Sequence, residues 1–430
     1  MRSGTLARLA VAGLLLAATA ACGGGSGGET ADGKVELRFT WWGSDIRHQV
    51  TQKAIDAFQK ANPNIVVKGE YGEWNGYWDK LATTVAANDA PDIIQMDERY
   101  LREYADRGAL LDLKTQKDVQ TADIEPASLG AGDVDGKLYG LNAGVNAYAI
   151  LANPSLFEAA GVKMPDDTKW TWEEYAKIAA QITEKSSDGV FGSQAYGNDE
   201  AGLSVWARQH GEALYTPDGK LGVTVPTVTS WYQNLLDLQK AKALPSADAT
   251  TQDMIAPLDQ SMLATNKVAM GYWWTNQLNA VSKASGKEMK LLRLPSVTGK
   301  ATENGNYYKA SMFWSVSSRT EHPAEAAKFV NFLANTTEAG DIILSDRGVQ
   351  PNTKVRAAIT DKLPAGEQLA QAYIEDIADE LGSVPTAPPP GGGGAQKILQ
   401  RYTQDVLFER QTPAQAAEGF LKELGTEIAG

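Results

Sequence analysis

Residues 40–49 read TWWGSDIRHQ, so two indoles, a glycine, a carboxylate, a guanidinium and an imidazole fall within ten positions. Indoles can lie against an apolar ring face, while Asp45, Arg47 and His48 can engage hydroxyl groups at its rim. The competing reading is core packing followed by a helix cap, with Ser44 or Asp45 as the capping residue. Gly43 would let a ligand approach the backbone beside Trp42. Trp41, on the opposite face of the same strand, reads as core. Cations in a first helical turn oppose the helix dipole, which weakens a purely structural role for Arg47 and His48. A solvated face is their alternative.

These residues stand where VELRFTWW, alternating like a strand, gives way to RHQVTQKAIDAFQKANP. In the latter, Val50, Ala54, Ala57, Phe58 and Ala61 share a helical face that Pro63 halts. NIVVKGEY reads as a second strand, YWDKLATTVAAN as a second helix and PDIIQM as a buried strand. This order predicts a parallel sheet covered by helices, and such sheets bind ligands beyond the carboxyl ends of their strands. Trp74 in YGEWNGYW and Asp97 in QMDER occupy two further strand ends, with Trp78 assigned to core and Glu98 to solvent. Farther on, TWEE at Thr171–Glu174 and TPAQ at Thr412–Gln415 are capping boxes. NKVAMGYWW is a strand ending in Trp273 and Trp274, MFWSVSS is another strand, and HPAEAAKFVNFLAN is a helix opened by proline. Trp170, Trp172 and Trp231 read as helix packing.

The amino terminus gives an address. Arg2 and Arg8 precede LAVAGLLLAATAA, an apolar run too short to span a bilayer, and the pattern is that of a secretory signal. It stops at Cys22, the single cysteine of the 430 residues, which the flexible GGGSGGETADG follows. Residues 1–21 contain two arginines and no acid, so their removal takes the net charge from −13 to −15. That charge disfavours nucleic acid as a partner. About 400 residues exceed one core and predict two lobes. His48, His210 and His322 are too scattered to bind a metal, and no cofactor motif appears.

The ordered set of the cysteine stop, FQKANPNIVV, APDIIQMD, ALLDL, DGKLYGLNAGVNAYAILANPSLFEAAGV, TWEEYAKIA, NKVAMGYWW, HPAEAAKFVNFLAN and RGVQPN resembles the extracellular solute-binding lipoproteins of carbohydrate ABC importers. The resemblance, to the maltose-binding-protein-like class, covers essentially the whole mature chain. It implies an α/β, periplasmic-binding-protein-like (type II) fold of two lobes, closing about a hinge on a mono- or oligosaccharide. It further implies a monomer without cofactor, tethered through lipidated Cys22 to the outer face of the cytoplasmic membrane and docking on permease subunits. The implied layout is a signal peptide at 1–21 and a tether at 22–33. The first lobe takes 34–143 and 313–350, the second 144–311 and 351–430. Crossovers are expected near Ala143–Val145, Ser311–Met312 and Gln350–Pro351.

By the same resemblance Asp45 and Asn146 match ligand-contacting polar positions and Trp273 the family's stacking tryptophan. Trp42, Arg47, His48, Trp74, Asp97, Trp206, Trp274 and Trp314 join the candidate set. Arg347 completes it, as a grip on a hydroxyl or carboxylate or as half of a salt bridge. A secreted glycoside hydrolase is the rival, because Asp45, Glu70, Glu73 and Asp97 could place two carboxylates at hydrolytic spacing. A binder of peptides or polyamines is the third class. Arg47, His48 and Arg347 leave an acidic sugar open.

Overall fold

The computed structural model describes residues 33–429 apart from Ser44, Glu73, Asp188, Asn198 and Pro257. The signal peptide, Cys22, the tether up to residue 32, Ser44 as a cap and Glu73 as a carboxylate candidate therefore lie outside the described residues.

Strand β1 (Val35–Trp42) leads into helix α1 (Asp45–Ala61), β2 (Ile65–Gly72), α2 (Trp74–Ala86), β3 (Ile93–Met96) and α3 (Glu98–Asp106). β1 pairs in parallel with β2 on one side and β3 on the other. The alternation of β1 puts Leu37, Phe39 and Trp41, all fully buried, on one face. The strand Phe313–Val316 joins β3 antiparallel and Leu141–Asn142 completes the five strands. A chain segment some 200 positions later thus closes the first sheet. The second sheet runs Lys290–Leu292, Tyr148–Ala152, Val268–Trp274 and Phe191–Ser193.

The buried side chains divide accordingly. One core draws on Leu37 to Ala143 and Ala310 to Ile343. Another draws on Tyr148 to Tyr307 and Ala395 to Leu424, and a smaller one around Val145, Tyr308, Val349 and Ile374 adjoins it. Between the sheets, three segments run side by side. Val145–Asn146 pairs antiparallel with Lys309–Ala310, and Val145 exchanges backbone hydrogen bonds of 2.8 and 3.0 Å with Val349. Gly144 permits the crossing, since a Cβ there would lie 1.9 Å from the Arg347 carbonyl oxygen.

The chain after Pro351 differs from expectation. Helix Thr353–Ile359 packs on the first lobe: Asn352 bonds Asn335 at 2.8 Å, Thr353 N–H donates to the Asp123 carbonyl, and Arg356 pairs with Glu125 at 2.8 Å. Only with Ala365–Asp376, which contacts Leu278–Ser285, does the chain rejoin the second lobe. The reason is a row of polar and ionic partners on the first lobe that no local pattern announces.

Candidate functional site

At the strand ends of the first lobe, most of the expected ligand contacts are already taken by protein. Trp42 is boxed by Trp74, Tyr77 and Trp78, with ring centroids 5.0, 5.3 and 5.5 Å away. Arg47 donates through Nε to Asp346 Oδ2 and through Nη2 to the Asp346 carbonyl, both at 2.9 Å. Its side chain also covers Gly43, where a Cβ would meet Arg47 Cδ at 2.5 Å, so arginine rather than ligand approaches that backbone. His48 stacks on Tyr71 at 3.9 Å and on Trp41 at 5.7 Å. Asp45 is exposed in the first turn of α1, 3.4 Å from the Tyr71 hydroxyl. Asp97 caps α3, accepting from the Arg99 amide at 3.0 Å.

Trp314 is corrected from ligand contact to core, and Arg347 follows its salt-bridge reading through Asp346. Both are 1% exposed, and the Arg347 guanidinium lies over the Trp314 ring, 4.7 Å from its centroid. Its donors reach Gln95 Oε1 (3.0 Å), Thr51 Oγ1 (2.8 Å) and Asp346 Oδ2 (3.1 Å), tying β3, α1 and the late crossover together. Trp206 is likewise buried, its Nε1 bonded to Ser230 at 3.0 Å and its ring against Trp172 and Trp231. Asn146 is buried at the crossing, beside a small polar pocket that Thr275, Ser345 and Gly348 also line.

The principal cavity among the described residues has a volume of about 460 Å³, within the usual range of small-ligand sites. The second lobe supplies most of its wall, with Glu98, Arg99 and Ala131 of the first lobe on one side. Trp273 and Trp274 line it; Trp42, Asp45, Arg47, His48, Trp74 and Asp97 do not. Trp274 is covered by Tyr148, 4.6 Å between centroids, and by the Lys309 ammonium, 5.6 Å from its ring. No such ring or cation contact falls on Trp273 among the described residues, and its buried Nε1 has no hydrogen-bond partner. Trp273, half-buried and packed on the apolar cluster around Val145 and Leu278, therefore lines the cavity with no second aromatic ring or cation on its own.

Polar groups surround it. Glu98, expected in solvent, instead pairs with Lys309 at 2.5 Å, and burial pushes its carboxyl upward despite the ammonium. Asp199 accepts from the Tyr148 hydroxyl (2.8 Å) and from the Ala201 amide (2.9 Å). Glu200 accepts from the Tyr215 hydroxyl at 3.2 Å, and burial pushes its carboxyl up to about 7. Gln194 donates to Asp253 at 2.5 Å, and burial raises Asp253 as well. The sequence reading missed Gln194, Asp199, Glu200, Arg208, Asp253 and Lys309. One signal was present: Glu200, Ser204 and Arg208 recur every four residues in a helix whose intervening Leu203, Val205, Trp206 and Ala207 are apolar.

The profile of the family described as bacterial extracellular solute-binding protein matches residues 53–371. The fold superposes on that of the extracellular solute-binding protein family 1 from Alicyclobacillus acidocaldarius with a TM-score of 0.76 and 30% identity, covering 92% of this chain and 99% of that one. A diacetylchitobiose binding protein of Streptomyces coelicolor is 24% identical over 450 residues, spanning 100% of this chain and 99% of its own. A lipoprotein of Streptomyces antibioticus is 28% identical over 200 residues, 44% of this chain and 42% of that one. The chain thus spans less than half the length of the first curated relatives it matches.

Proposed function

The chain belongs to the bacterial extracellular solute-binding proteins, and we propose that it captures an oligosaccharide between its lobes and hands it to the permease of an ABC importer. The observation that carries this reading is a cavity lined by Trp273 and rimmed by carboxylates, amides and cations. A pyranose has an apolar C–H face for the indole and hydroxyls for the rim, and a polar site group left unpaired by the wrong epimer costs about 1–3 kcal/mol. The full-length similarity to a diacetylchitobiose binding protein supports the same class of ligand. Lipidation at Cys22, supported by the Streptomyces antibioticus lipoprotein, would hold the protein at the outer face of the cytoplasmic membrane. No described helix is long and apolar enough to cross a membrane.

Capture in this reading involves no chemistry on the sugar. Glu200 has the raised carboxyl that a glycosidic general acid needs, and Asp199 stands beside it. Yet both Asp199 oxygens already accept hydrogen bonds, one from a helix amide and one from Tyr148, so the carboxylate is engaged as a helix cap. Titration calorimetry over a panel of di- and trisaccharides, run beside a reducing-sugar assay, tests the proposal. Saturable heat with one glycan and no release of reducing ends is the expected result. Turnover of any bound glycan, or heat only with peptides or polyamines, overturns it.

A further inference from the structure

Helix Glu200–Gln209 presents Glu200, Ser204 and Arg208 to the cavity at four-residue intervals. Eight residues of helix span about 12 Å, longer than a single pyranose, so a ligand lying along this face meets a carboxylate, a hydroxyl and a guanidinium in turn. The two ends differ in how their charges are matched. Near Glu200, Lys309 is paired with Glu98 at 2.5 Å, and Arg99 lies 4.0 Å from Asp97. Arg208 donates through Nε to the Gly305 carbonyl at 2.8 Å and sits 5.5 Å from the Tyr307 ring centroid. Among the described residues, no carboxylate reaches ion-pair distance of Arg208.

A cation drawn out of water is destabilising unless a counter-charge meets it. Burial indeed pushes the Arg208 guanidinium downward, with only the Tyr307 hydroxyl group opposing. The arginines first expected to serve an acidic ligand, Arg47 and Arg347, both spend their charge on Asp346. We propose that Arg208 is the anion-recognising residue of the cavity and that the ligand is an acidic oligosaccharide whose uronate carboxylate seats on this guanidinium. The Nε bond to Gly305 and the Tyr307 ring fix the plane of the fork, which suits a two-pronged grip on a carboxylate. Asp199 repels an anion at the opposite end, joined by Glu200 once it is ionised, so the ligand has one favoured direction along the helix. This inference rests on the sugar-binding reading and narrows it.

The test is calorimetry on the mature chain with digalacturonic and dimannuronic acids against galactobiose and mannobiose. One acid is expected to bind at least tenfold more tightly than its neutral counterpart, a ratio that shrinks with added salt. Arg208→Gln should abolish that ratio, a loss of roughly 10- to 100-fold for the acid alone, while Arg208→Lys should restore part of it. Arg208→Lys also serves if the glutamine variant does not fold. Equal weakening of acid and neutral ligands by Arg208→Gln would reduce the residue to a tether for the Gly305 loop. Preference of the parent for any neutral glycan overturns the acidic assignment and leaves sugar capture standing. Absence of binding to every glycan removes both.

Discussion

Replacing Glu200 by glutamine isolates the energetic consequence of burying a carboxyl in the cavity wall. An unperturbed glutamate titrates near 4.5, and burial raises Glu200 to about 7 against the attraction of Arg99 and the Tyr215 hydroxyl, with Asp199 and Glu98 adding repulsion. Between those two values the folded protein keeps a proton that the unfolded chain has lost. The stability tied to that proton is fully present below about 4.5 and is lost as pH rises through about 7. At 1.36 kcal/mol per unit, the change from pH 5 to pH 8 is about 2 kcal/mol, with partial solvent access included. Glutamine has no charge to bury, and its carbonyl still accepts from Tyr215. Glu200→Gln should therefore match the parent at pH 5 and exceed it by about 2 kcal/mol at pH 8. Asp253, also raised by burial, remains in both proteins and cancels in the comparison. Urea unfolding of the ligand-free proteins at pH 5, 6, 7 and 8, followed by tryptophan fluorescence, measures this. Parallel pH profiles for parent and variant refute the reasoning.

Trp273→Ala should weaken glycan binding by about 1–3 kcal/mol, roughly five- to 150-fold, while the free protein loses less stability than with Trp42→Ala. Trp42→Ala should do the reverse, because its ring fills the cluster with Trp74, Tyr77 and Trp78, and lose about 3–5 kcal/mol of stability; calorimetry and ligand-free melting on both variants compare them. Arg347→Met removes a wholly buried donor from Gln95 and Thr51 and should cost about 3–5 kcal/mol in urea unfolding, while affinity changes by less than about threefold. Cys22→Ala should move the protein from the membrane fraction to the soluble fraction with glycan affinity intact; retention on the membrane refutes the anchor.

The elements were legible wherever their cause is local. The alternation of Leu37, Phe39 and Trp41 gives β1, Pro63 follows the end of α1, and the Thr171–Glu174 capping box forms with both of its hydrogen bonds. The site was legible only in outline, because its residues are selected by what covers them from far along the chain. A cation in the first turn of α1 opposes the helix dipole, which pointed away from a structural role for Arg47, yet Arg47 is held structurally by Asp346, 299 positions away. Arg347 meets Gln95 across 252 positions. Neither pairing has a local signature, so two arginines suited to a ligand became struts. Adjacent tryptophans make the point most directly. Trp273 and Trp274 end one strand and read alike, yet Tyr148 and Lys309 lie on the second, while the first packs on aliphatic side chains and carries neither a ring nor a cation. Spacing places an aromatic ring at the correct edge of a sheet; the remaining protein, by covering the ring or leaving it open, decides whether it packs or binds.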